Sequence, residues 1–128
     1  MNNIELKNKV SNTSIKLLKQ KGYIAPVDVL LEIGVIDKKK YNDWKNGRVI
    51  YLEKVCSGNL NKMNLILKTI ENLGRQMKLR PSFCYYKQNG SKIKLRFSKL
   101  NSEYLETKYS THYVGMQYKQ SPTNNENN

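Results

Sequence analysis

The stretch from Asn59 to Ser98, NLNKMNLILKTIENLGRQMKLRPSFCYYKQNGSKIKLRFS, decides how the rest of the chain is read. Leu60, Met63, Ile66, Leu67, Ile70, Leu73 and Met77 recur at steps of three and four, the spacing of one stripe on an α-helix. Asn59 stands where a side-chain oxygen can accept a first-turn N–H, and Pro81 disfavours helical geometry at Arg80. A helix from Asn59 to about Lys78 is therefore expected. Asn89-Gly90 then lies between two β-rich runs, the signal for a two-residue type I′ hairpin turn. That turn sets Gln88 opposite Ser91, Tyr86 opposite Ile93 and Cys84 opposite Leu95.

Alternation divides the expected hairpin into two faces. Cys84, Tyr86, Ile93, Leu95 and Phe97 make a core face. Phe83, Tyr85, Lys87, Lys92, Lys94 and Arg96 make the other, with Tyr85 opposite Lys94 and Phe83 opposite Arg96. Rings interleaved with cations suit nucleic acid, because bases stack on rings while Lys and Arg neutralise phosphates. Lys68 and Arg75 on the polar side of the long helix, with Lys78 and Arg80 after it, extend the same candidate nucleic-acid-binding set. Two plainer readings exist for this face, a solvated sheet surface with rings packed on lysine stems and a protein partner.

Charge favours a polyanion. From Asn59 to Lys99 there are ten basic residues against one acid, Glu71, which is +9 of the chain's formal +13. Such an excess points to nucleic acid, an anionic membrane surface or an acidic protein surface. No apolar run is long enough to span a membrane, and the N-terminal residues lack a signal-peptide core. These features together imply a cytoplasmic protein with no membrane partner. At 128 residues one domain is expected, over 1–118, followed by a disordered polar tail at 119–128.

Upstream, the chain reads as a series of short helices. Residues 4–21 form the first, with Gly22 closing it, although the apolar period is poor between Val10 and Ile15. Pro26 opens a second that runs to about Ile33. Asp37 caps a third, from Lys38 to Asn46, on which Tyr41 and Trp44 share a face. A fourth short helix falls within Arg48 to Cys56. Trp44 reads as the main core aromatic, with Arg48 pairing with Asp43 or Glu53; the alternative is an Arg48 that contacts phosphate. Downstream, Asn101 to Lys108 reads as a short helix capped by Asn101 or Ser102, and Tyr109 to Val114 as a strand. The expected class is α+β: an N-terminal bundle of four to five helices, helix-turn-helix-like, then a β-hairpin or small antiparallel sheet, winged-helix-like.

Gly22-Tyr23-Ile24-Ala25-Pro26-Val27-Asp28-Val29-Leu30, Tyr41-Asn42-Asp43-Trp44, Gly47 to Val55 and Asn59-Leu60 carry a resemblance. Together they resemble small uncharacterised proteins of low-GC Gram-positive bacteria. The similarity continues through Leu95-Arg96-Phe97-Ser98 to Tyr109–Val114, and departs at Ile50, where such proteins have proline. The resemblance implies a common fold and a bacterial or phage origin, and no particular activity.

Catalytic constellations are sparse. His112 is the only histidine. Beside Arg96, Lys94 or a tyrosine it would serve as general acid or base in metal-independent RNA cleavage, but a lone histidine in a strand is more often structural. Cys56 and Cys84 are expected as core thiols, and with His112 they lack the paired spacing of a zinc site. No phosphate-binding glycine loop, cofactor or metal site is read. The expected function is a non-enzymatic nucleic-acid-binding module, for DNA or RNA. The alternative is a protein-interaction factor, such as a phage-type inhibitor that binds an acidic surface of a nucleic-acid-processing enzyme.

Overall fold

The computed structural model describes residues 1–116; the tail expected at 119–128 lies outside the described residues. The fold is α+β, five helices with a small three-stranded antiparallel sheet. Helix α1 (Asn3–Lys21) starts on a reciprocal cap: Glu5 N–H donates to Asn2 Oδ1, and Asn2 N–H donates to Glu5 Oε1. Gly22, at φ 86°, ends it in the left-handed region that a residue without Cβ enters freely. Its inward positions are Leu6, Val10, Ser14 and Leu17. Ser14 occupies a core-facing position, which is why the apolar period breaks after Val10.

Strand β1 (Tyr23–Ile24) leads into α2 (Pro26–Glu32) and α3 (Lys38–Lys45). Asp37 caps α3 by accepting the N–H of Lys40 at 2.8 Å. The fourth short helix is a single 3-10 turn, Leu52–Val55. Helix α4 (Leu60–Gln76) is capped by Asn59 as expected and buries Met63, Ile66, Leu67 and Ile70. Strand β2 (Arg80–Phe83), α5 (Glu103–Ser110, capped by Ser102) and β3 (Thr111–Val114) complete the order. The C-terminal strand lies in the middle of the sheet, β1-β3-β2, with Tyr23 opposite Val114 on one side and Pro81 opposite Tyr113 on the other.

The core centres on Trp44, which is fully buried against Tyr86 and Phe97, with Phe97 stacked on Tyr109 at 5.3 Å. Trp44 Nε1 donates to the carbonyl of Arg96 at 2.8 Å, and Arg48 pairs with Asp43 at 3.1 Å. Among the described residues no helix is long and apolar enough to cross a membrane.

The hairpin expected after Pro81 has a different register. Lys87 pairs with Lys94, and Gln88 N–H donates to Ile93 O, so four residues rather than two form the loop. Gly90 has positive φ and Asn89 does not, which excludes the type I′ turn. Tertiary contacts account for the change. Asn89 N–H donates to Lys45 O at 2.8 Å, and Asn89 Nδ2 donates to Asn46 Oδ1 at 2.9 Å, which ties the tip to the end of α3.

The return arm also avoids the expected strand pairing. Its Arg96 and Phe97 carbonyls accept from Leu52 and Glu53 of the 3-10 turn. Its Phe97 and Ser98 N–H groups donate to the Glu106 carboxylate on α5. Strand β2 pairs instead with β3. Ile93, expected on the core face, is 60% exposed, whereas Leu95 and Phe97 further along the arm are buried.

Candidate nucleic-acid interface

β2 is an edge strand of the sheet, which suits its Pro81, since an edge position needs no N–H from every residue. Phe83 closes the strand, and Tyr85 follows on the same outward side. Their rings meet edge to face at 4.7 Å and remain 47% and 57% exposed. Lys94 reaches across from the return arm to place Nζ 4.3 Å from the Tyr85 ring centroid. Lys87 sits beside Lys94 in the bridge, and Lys92 is exposed in the loop. Phe83, Tyr85, Lys87, Lys92 and Lys94 thus share one exposed arm, with rings and ammonium groups interleaved.

Arg96 is placed differently from its expected position opposite Phe83. Its guanidinium donates from Nε to Ser98 O at 2.8 Å and from a terminal nitrogen to Lys99 O, and it lies 5.1 Å over the Tyr51 ring. Two carbonyls and a ring therefore hold it in the fold. Lys68 and Arg75 lie on α4 around Glu71, whose carboxyl is held below its usual range by Lys108 at 2.6 Å, with Lys68 and Arg75 adding to the effect. Lys78, at φ 56°, and Arg80 are exposed where α4 passes into β2. No hydrogen bond, ion pair or ring contact among the described residues joins the α4 group to the hairpin group.

The chain's few acids sharpen the charge imbalance. The Glu5 carboxylate accepts from the N–H of the cap residue Asn2, and Asp37 accepts from Lys40 N–H. Glu106 accepts from Phe97, Ser98 and the Ser98 hydroxyl, and Glu53 accepts from Lys99 N–H and the Tyr109 hydroxyl at 2.6 Å. Four carboxylates therefore serve backbone and hydroxyl donors rather than surface cations, and lysines on the hairpin arm stay without ion-pair partners among the described residues.

Two cations outside the expected set also lie over rings. Lys45 donates to Lys87 O at 2.8 Å and lies 5.7 Å over Tyr86, its pKa lowered by burial. Lys108 lies 5.1 Å over Tyr104. The Tyr104–Lys108 spacing of four on a helix was a readable signal; the contact of Lys45 with a segment 42 residues away was not.

Neither a family model, nor a curated protein, nor a solved structure matches the chain.

His112 faces away from the exposed arm's charges. Tyr23 stacks on it at 5.4 Å, and its Nε2 lies 3.2 Å from the Tyr86 hydroxyl. Burial lowers its pKa, and burial raises that of Tyr86 well above the ordinary value. The pair is a neutral imidazole beside a protonated phenol. Cys56 and Cys84 are free thiols, and burial pushes Cys56 up to about 12, so neither is a ready nucleophile near neutral pH. No cluster of three metal-ligating side chains occurs among the described residues.

Proposed function

We propose that this chain is a small, basic, non-enzymatic nucleic-acid-binding protein that uses the hairpin arm as its contact surface. The observation that carries the reading is the Phe83–Tyr85 pair, exposed and flanked by Lys87, Lys92 and Lys94. Stacking on an exposed ring contributes ~1–3 kcal/mol per base, and each phosphate contact releases counterions. Lys68, Arg75, Lys78 and Arg80 supply further phosphate contacts; Arg96 has a structural part. In this reading the N-terminal helices make a helix-turn-helix-like core and the hairpin is the wing, in a protein of the bacterial or phage origin that the resemblance implies.

The test is fluorescence anisotropy with labelled single- and double-stranded DNA and RNA, from about 50 to 300 mM salt, a range over which phosphate contacts weaken steeply. The triple variant K87A/K92A/K94A runs alongside. Tight binding with a steep salt slope that flattens in the variant supports the reading. Affinity no greater than that of an unrelated protein of equal charge would exclude it.

A further inference from the structure

A second feature stands apart from the hairpin arm. A groove of about 1130 Å³ opens between the start of α1, the first half of α4, and α5 with the segment before it. Its apolar part is mostly leucine, with Leu60, Leu65, Leu67, Leu100 and Leu105, its polar part includes Asn61, Asn64 and Ser102, and Tyr104 is the one ring in it. Leu100 is 62% exposed and Tyr104 66%, so this apolar surface is open to solvent.

The rim is cationic. Lys62 and Lys68 line the groove and form no salt bridge among the described residues. Glu71, the one lining acid, is neutralised by Lys108 at 2.6 Å and by Arg75 at 3.5 Å. The groove therefore combines leucines with lysines that form no salt bridge among the described residues.

We propose that this groove docks an acidic amphipathic helix of a partner protein. Such a helix presents apolar residues at i, i+3, i+4 and i+7 to the leucines, and its carboxylates meet Lys62 and Lys68. The volume exceeds the ~300–1000 Å³ usual for small-molecule sites, which favours a polypeptide segment. Nucleic acid is disfavoured because bases need rings to stack on and Tyr104 is the one ring in the lining. The proposal shares only Lys68 with the nucleic-acid set and stands whether or not the hairpin arm binds nucleic acid.

The test uses the full chain labelled with ¹⁵N and a synthetic peptide of about five helical turns. Leucines occupy one face of the peptide and glutamates the other. Counterparts carry Lys for Glu or Ala for Leu. The expected result is saturable shifts confined to residues 60–71 and 100–108 with the Leu/Glu peptide. Either counterpart should bind about tenfold more weakly or worse. Leu60→Asp with Leu100→Asp, both at exposed positions, should cost a similar factor with unchanged thermal melting. Lys62→Glu with Lys68→Glu should reverse the preference and favour the lysine peptide.

Equal response to both peptide charges, or shifts elsewhere on the chain, would overturn the proposal. So would displacement of the peptide by a single-stranded oligonucleotide that shifts the same residues, which would assign the groove to nucleic acid. Self-association abolished by the Leu60/Leu100 changes would assign it to a second copy of the chain.

Discussion

Lys94 holds its ammonium 4.3 Å from the centre of the Tyr85 ring. At an exposed site this contact is worth ~0.5–1 kcal/mol, less than the ~1–3 kcal/mol of a base stacked on the same ring. In the proposed complex a nucleobase would displace the ammonium, leaving it to meet a phosphate.

Tyr85→Ala with Phe83→Ala should weaken single-strand binding by about 10- to 100-fold and duplex binding much less, because duplex bases are already stacked. Parallel anisotropy titrations on the two substrates check this. Equal losses on both would sink the stacking model. Lys94→Ala alone should lower the single-strand salt slope by ~0.7, the contribution of one phosphate contact.

Arg96→Ala should behave as a stability variant. Its guanidinium holds the carbonyls of Ser98 and Lys99 and covers Tyr51. Loss of these partly exposed contacts should cost ~1–2 kcal/mol, read as a lower urea midpoint at constant slope. Lys94→Ala should leave that midpoint within ~0.5 kcal/mol of the parent, as surface changes usually do. A large effect of Arg96→Ala on binding with no change in the midpoint would return Arg96 to the contact surface.

Gly74→Ala sets two effects against each other. Alanine gains ~1 kcal/mol of helix propensity over glycine. The new Cβ, however, would stand 2.6 Å from Cδ1 of the Tyr113 ring, an atom near the ring's root rather than at a flexible end. Overpacking of this kind costs ~1–3 kcal/mol, so net destabilisation is expected in chemical denaturation. With Tyr113→Ala already present, adding Gly74→Ala should instead stabilise by ~1 kcal/mol. Destabilisation on both backgrounds would exclude the ring clash as the cause.

His112 should make stability depend on pH in the mildly acidic range. Burial lowers its folded pKa below 6.5, so the unfolded chain binds the proton more readily. Stability is then fully present above the unfolded value near 6.5 and is lost as pH falls through that value toward the folded one. The slope is limited to ~1.4 kcal/mol per pH unit for one proton. Asp28 opposes the shift and Lys21 reinforces it, while Tyr23 and Tyr86 face the ring without charge. Glu71 and Glu32 have lowered pKa values, so their contribution is present above about pH 4.5 and is lost only as pH falls below it, outside this window. Urea midpoints between about pH 7.5 and 5 should fall for the parent and stay level for His112→Asn. A parent-like slope in the variant would assign the effect elsewhere.

The helices were legible because their signals are local. Caps at Asn59 and Asp37, Pro26 at a first turn, Gly22 after a last one and the apolar stripe of α4 each act within a few residues, and each stands in the structure as expected. The C-terminal strand was legible from its β-formers, although Tyr109 and Ser110, expected in it, finish α5, and β3 begins at Thr111. The surplus of cations and the outward rings at Phe83 and Tyr85 also follow from composition and alternation.

Strand pairing and the hairpin register were decided by the tertiary structure. Asn89-Gly90 prefers a tight turn locally, but bonds from Lys45 and Asn46, more than 40 residues away, hold the tip in a wider one. Glu106 captures the N–H groups of Phe97 and Ser98, and β3 takes β2 as its partner. The groove between α1, α4 and α5 likewise exists only once elements distant in sequence meet. Periodicity and capping reveal which segments form and which side faces inward. The selection of partners depends on long-range hydrogen bonds, which leave no trace in neighbouring residues.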